Sequence, residues 1–147
     1  MTSALTGKIT HGSDDWLIES GASKHMKRFK ESFVKLSEYE SPHKVKLEDD
    51  YQYPIKGSGE SSYKLDSGKS IKMKDVLFVL GLKKNLLSIS VLDAKGMTIA
   101  FIDGQVLMCP KGKTIDDAVV IGDQEGGLYR LKSQPEQALV HDSVEPN

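Results

Sequence analysis

A chain of 147 residues with 20 basic and 21 acidic side chains, a net charge of −1 and 38% hydrophobic residues can bury the core of one domain and is too apolar for wholesale disorder. The charge balance speaks against a dedicated nucleic-acid binder, and the longest apolar run, residues 76–80, is far too short to span a bilayer. Cys109 is the only cysteine, which excludes an internal disulfide and a cysteine-based zinc site and fits a reducing, intracellular and cytoplasmic setting; no secretory signal opens the chain.

In chain order, residues 1–13 are small and polar and read as a loose arm. Residues 14–131 carry the periodic signal, and residues 132–147, with two prolines, acids and Gln, read as a tail. Trp16-Leu17-Ile18 is a short apolar strand that stops at Ser20-Gly21. Met26, Phe29, Phe33 and Leu36 fall at helical spacing and predict a short helix. Val45 and Leu47, then Tyr51, Tyr53 and Ile55, alternate with polar residues on either side of Glu48-Asp49-Asp50, which predicts a hairpin with its tip at 48–50. Tyr63 and Leu65 lead into a turn at 66–69, and Ile71 and Met73 alternate on the return. Residues 76–79 form a continuous apolar run, as in a strand buried on both faces. The spacing of Leu86, Ile89, Val91 and Leu92 predicts a helix over 86–94, ended by Lys95-Gly96. Residues 97–102 and 105–109 predict strands joined by Asp103-Gly104, a tight-turn pair. Pro110-Lys111-Gly112 turns the chain again, and residues 119–121 and 128–131 form a last hairpin around Gly126-Gly127. Many short strands and two short helices make this a mainly β protein, a small closed barrel or folded sheet.

One motif carries chemistry. In Ile18-Glu19-Ser20-Gly21-Ala22 an apolar strand runs into acid, hydroxyl, glycine and alanine, the order in which aspartic proteases present a catalytic carboxylate. The strand sets the acid at the floor of a cleft, and the next hydroxyl braces the loop. Glycine lets two such loops approach without a side chain between them. Two acids then share one proton and activate a water, because like charges so close cannot both ionise.

Beyond this motif, residues 14–131 resemble the protease region of plant copia-type retrotransposon Pol polyproteins. The resemblance runs in family order through residues 16–26 (WLIESGASKHM), residues 76–90 (VLFVLGLKKNLLSIS) and residues 126–131 (GGLYRL). It implies a retropepsin-like β-barrel that works as a homodimer on a peptide or polyprotein substrate, one acid per subunit, without metal or cofactor. It also implies a catalytic loop of Glu19, Ser20 and Gly21. Ala22 beside it, with Asp49, Asp50 and Tyr51 of the substrate-covering flap at 45–55, binds substrate. The apolar run to Val79, then Gly81 and the Asn85-Leu86-Leu87 helix, form the loop-and-helix unit that backs the catalytic loop.

The chain departs from the family pattern at four places. Glu19 stands for Asp, Lys27-Arg28 for Thr-Gly, Leu47-Glu48-Asp49 for Leu-Gly-Asp, and Leu80 for Pro. The extra methylene of Glu19 lengthens the arm by about 1.5 Å, and misplacing a reacting group by about 1 Å costs around a hundredfold in rate. Two readings follow, an endopeptidase impaired at Glu19 and a lapsed protease domain that binds peptide or protein. Elsewhere the residues call for ordinary roles. His11, His25, His43 and His141 lack metal-ligand spacing and read as surface or capping residues. Lys69, Lys72 and Lys74 read as a solvated strand face, Tyr51 and Tyr53 as either groove lining or a half-buried strand face, and Cys109 as packed in a strand.

Overall fold

Local alternation and turn chemistry build most of the molecule. The structure is a computed structural model and describes residues 14–132; the expected arm and, apart from Lys132, the expected tail lie outside the described residues. Among the described residues eleven strands form in chain order: β1 Trp16–Glu19, β2 Met26–Lys27, β3 Lys35–Glu38, β4 Lys44–Lys46, β5 Gln52–Lys64, β6 Ser70–Val79, β7 Asn85–Ser88, β8 Met97–Ile102, β9 Gln105–Pro110, β10 Val119–Glu125 and β11 Leu128–Leu131. One α-helix among the described residues, α1, spans Ile89–Ala94. The fold is mainly β and barrel-like.

The strands follow the order β3-β5-β6-β2-β7-β1-β11-β10-β9-β8, with β4 paired to β5. The expected closure of the barrel is not met, because the path ends at β3 and β8. β3 is exposed apart from Leu36 and carries Lys35, Ser37 and Glu38, polar chemistry that keeps an edge unpaired. At the other end α1 lies against β8.

Three of the tight turns follow directly from composition. Asp103 and Gly104 adopt φ of 50° and 77°, and Gly126 and Gly127 adopt 60° and 82°, the paired left-handed conformations of a type I′ hairpin turn. At the tip between β4 and β5, Asp50 has φ 68° and its N–H donates to the Leu47 carbonyl at 2.9 Å.

The two expected helices are corrected. Residues 26–36 form β2, a single 3-10 turn at Lys30–Ser32 and the start of β3. Their apolar residues do not share one face. Met26 joins the core of Ala22, Val79, Leu82 and Leu86, whereas Phe33 packs against the core of Trp16, Ile18 and Leu87. Helical spacing here reflects two destinations rather than one stripe. Likewise Asn85–Ser88 is a strand, buried at all four positions. Leu86 faces one core and Leu87 the other, the alternation of a pleated strand. The helix begins only after Ser88, whose hydroxyl caps it by accepting from the Val91 N–H at 3.2 Å, and it ends at Gly96 with φ 91°.

β1 and β7 therefore form a central pair between two cores. They run parallel, with Trp16 beside Asn85 and Glu19 beside Ser88. The pair fixes where the end of β1 points.

β3 meets β5 at two glycines. A Cβ on Gly59 would lie 1.9 Å from the Lys35 carbonyl oxygen, and one on Gly57 would lie 2.5 Å from that of Ser37. Gly59→Ala must push the strands apart and is expected to destabilise the fold by about 1–3 kcal/mol, read as a lower urea midpoint. An unchanged midpoint would show that β3 does not lie against β5 in this register.

Candidate functional site

Glu19 is the last residue of β1 and is half-buried. It lines two clefts. One, of about 310 Å³, is formed with Gly21, Ala22 and Leu86 on one side and Lys46, Leu47, Glu48 and Asp49 of the β4–β5 hairpin on the other. The second, of about 370 Å³, is formed with Ile18, Ser20, Ile89, Phe101, Leu128 and Tyr129. Of the residues singled out in the sequence, Glu19, Gly21, Ala22 and Asp49 thus meet around one cleft. Ser20 lines the other, and Asp50 and Tyr51 line neither.

The loop after Glu19 is braced, but not by Ser20. Ser20 is exposed, and among the described residues its hydroxyl makes no hydrogen bond. The expectation of a bracing Ser20 is therefore corrected. The brace comes from the neighbouring strand. The fully buried Ser88 hydroxyl donates to the Ala22 carbonyl at 2.7 Å, and Ser90 reaches the same oxygen at 3.3 Å. The Ser88 N–H donates to His25 Nδ1 at 2.9 Å. A hydroxyl beside Glu19 in the pairing register serves the role better than one beside it in sequence. The parallel strand holds Ser88 rigidly, and Ser20 sits where the chain leaves the sheet.

His25 is not a surface residue. It is 2% exposed, and burial, with the nearby Lys95 charge, lowers its pKa to about 4. Its neutral form is required, because Nδ1 accepts the Ser88 N–H. Between pH 6.5 and 4 the unfolded chain binds a proton here that the folded chain does not, so stability is fully present above about 6.5 and is lost as pH falls toward 4. The loss is expected to be on the order of 3 kcal/mol. Urea unfolding at a series of pH values measures it, with His25→Gln separating this slope from that of the carboxylates. Equal slopes in both proteins would contradict the assignment.

A second buried network anchors the start of β1. Asn85 is fully buried. Its Nδ2 donates to the Asp14 carboxylate at 2.9 Å and the Asp14 carbonyl at 3.1 Å, and its Oδ1 accepts from the Arg28 N–H at 2.8 Å. Lys27, where the resembling family has Thr, is also buried. Its ammonium sits 4.7 Å from the centre of the Trp16 ring and 3.8 Å from Asp14. Burial lowers its pKa, and Asp14 opposes that shift. At Leu80, where the family has Pro, the N–H donates to the Pro54 carbonyl at 3.1 Å, a bond that proline cannot make.

The hairpin facing Glu19 is held in shape at its tip. Asp49 accepts from the Tyr53 hydroxyl and from the Tyr51 N–H at 2.9 Å. The Tyr53 bond foremost, then the Tyr51 N–H, lowers the Asp49 pKa, and the same contact raises that of Tyr53. Tyr51 itself is exposed, edge-on to Tyr53 at 6.4 Å. With Asp49 committed in this way, two other carboxylates line the cleft, Glu19 from the strand end and Glu48 from the hairpin.

Another cavity, of about 570 Å³, shares no lining residue with the Glu19 clefts. Its charged rim is neutralised locally by Lys56 with Glu40 and Lys30 with Glu38, and we assign it no chemistry. Among the described residues no group of three or more His, Cys, Asp or Glu could hold a metal ion, and no helix is long and apolar enough to cross a membrane. The sequence reading missed His25, Ser88 and Asn85. The available signal was the placing of Asn85 and Ser88 at either end of the buried pair Leu86-Leu87, a position that polar side chains occupy only with partners.

A family model described as Pol polyprotein, beta-barrel domain, matches residues 16–97. The matched stretch runs from the start of β1 to the first residue of β8 and contains the Glu19 loop, the β4–β5 hairpin and the β7–α1 unit. No curated protein and no solved structure matched the chain.

Proposed function

Because the chain belongs to the family of Pol polyprotein β-barrel domains, we propose that it is the protease domain of a copia-type retroelement, an aspartic endopeptidase of the retropepsin kind that cuts its own polyprotein as a homodimer. One observation carries the reading: Glu19, at the end of a buried strand, shares a cleft with the tip of a covering hairpin. Each chain then supplies one carboxylate at a strand end, so the two-acid chemistry needs a second copy of the chain. The proton shared by the two Glu19 side chains leaves one of them to draw a proton from water, while the other polarises the scissile carbonyl. Gly21 has open space where a side chain would stand, which lets the two loops approach. Lys46, Leu47 and Glu48 close over an extended peptide from above. Cys109, a buried free thiol, suits work inside the cell.

The test is cleavage of a peptide spanning a junction of a related polyprotein. Slow cleavage that Glu19→Gln abolishes supports the reading. Cleavage that survives Glu19→Gln comes from elsewhere and overturns it. The longer arm of Glu19 favours a second reading, a lapsed domain that still grips a peptide between hairpin and loop. It is distinguished by peptide binding without cleavage in every variant at position 19.

A further inference from the structure

β6 is paired on both sides only near its end. β2 meets it at Leu77 and Phe78, whereas Ser70 to Val76 pair with β5 alone among the described residues. The Leu65 N–H donates to the Lys69 carbonyl at 2.8 Å. In the register that pairs Tyr63 with Ile71 and Ser61 with Met73, the alternation of an antiparallel ladder then turns the backbone N–H and C=O groups of Ser70 and Lys72 away from β5.

They face a cavity. It has a volume of about 210 Å³ and is walled by β6 on one side and by Val91, Leu92 and Lys95 on the other, with His25, Met97 and Met108 completing it. Its apolar groups include Ile71, Met73 and Leu92, all buried. The charged groups lining it are Lys72, Lys74 and Lys95, with titratable His25 beside them, and no acid is among them. None of the three ammonium groups has an ion-pair partner among the described residues. Asp93, the acid of α1, is taken by Lys111 at 2.7 Å.

We infer that the open edge of β6 at Ser70–Lys74 is a docking site for an acidic peptide segment, which adds to the sheet as an extra strand. The chemistry matches at period two. Lys72 and Lys74 stand on the exposed face and Ile71 and Met73 on the buried one. A strand that alternates acidic and apolar residues sets its carboxylates against the lysines and one apolar side chain into the cavity. Nucleic acid is the less fitting occupant. The cavity has no aromatic lining on which a base stacks, the whole chain carries a net charge of −1, and an open strand edge is complementary to a peptide backbone.

The probe is a fluorescent Glu-Val-Glu-Val-Glu-Val-Glu peptide, titrated by polarisation at about 0.15 M salt, where surface charges act only over roughly 8 Å. The full chain is expected to bind it. The Lys72→Glu/Lys74→Glu/Lys95→Glu protein, altered only at exposed positions, should bind it at least tenfold more weakly and unfold at a similar urea midpoint. The same peptide N-methylated at alternate amides keeps its charge but cannot pair with the sheet, and is expected to lose at least tenfold on the unaltered chain. Equal binding of the methylated peptide, no binding of the parent peptide, or an RNA oligomer that displaces it at lower concentration would overturn the proposal.

Discussion

Glu19→Asp is expected to cleave a polyprotein-junction peptide about a hundredfold faster than the present chain, or more. The argument is one of reach. Glu19 is held at the end of β1 by its parallel partner β7, and the next residues are fixed by Ser88 and Ser90 through the Ala22 carbonyl. A backbone so restrained does not retreat to absorb a longer arm, so the surplus methylene displaces the carboxylate itself. In a homodimer both carboxylates are displaced. Shortening both arms restores the shared-proton geometry, and the gain should be largest at mildly acidic pH, where the pair holds one proton. The rate is read with the same peptide over a pH series. A Glu19→Asp dimer that remains inert throughout would assign the domain to binding rather than cutting.

Asn85→Ala is expected to be the most damaging single change outside the cleft, lowering stability by about 3 kcal/mol or more. Asn85 is fully buried and satisfies the Arg28 N–H, the Asp14 carbonyl and the Asp14 carboxylate together. Truncation removes three bonds to part-buried partners, each worth about 0.5–1.5 kcal/mol and more where the partner is charged, and leaves a void at a fully buried position. It also loosens Asp14, the ion-pair partner of the buried Lys27. Urea unfolding measures the loss. A change below about 0.5 kcal/mol, the range of an ordinary surface substitution, would show that this network does not hold β1 and β7 together.

The parts of this fold that rest on local chemistry were legible in the sequence. Asp103-Gly104 and Gly126-Gly127 dictate their turns wherever they occur, and alternation around residues 48–50 dictates the hairpin. The acid at the end of an apolar strand likewise located Glu19 on a cleft. What could not be read depends on contacts far apart in the chain. Leu86 and Leu87 look helical beside Ile89, but two cores claim them from opposite sides. Met26 and Phe33 look like one stripe and serve separate clusters. The hydroxyl that braces the loop was expected at Ser20 because it is adjacent in sequence. The strand pairing supplies Ser88 instead, 66 residues from Ala22. His25 took an ordinary surface reading because its acceptor role exists only once β7 lies alongside. Closure of the barrel was read from the many short strands, and strand count alone cannot say whether the edge strands meet.

The claim that one Glu19 from each of two chains forms the working site is tested most directly by calorimetric titration of the Glu19→Asp protein with a pepstatin-like inhibitor. The account requires one inhibitor bound per two chains, with binding lost in Glu19→Gln. One inhibitor bound per chain, or no binding by a protein that sediments as a 16.2 kDa monomer, would contradict it.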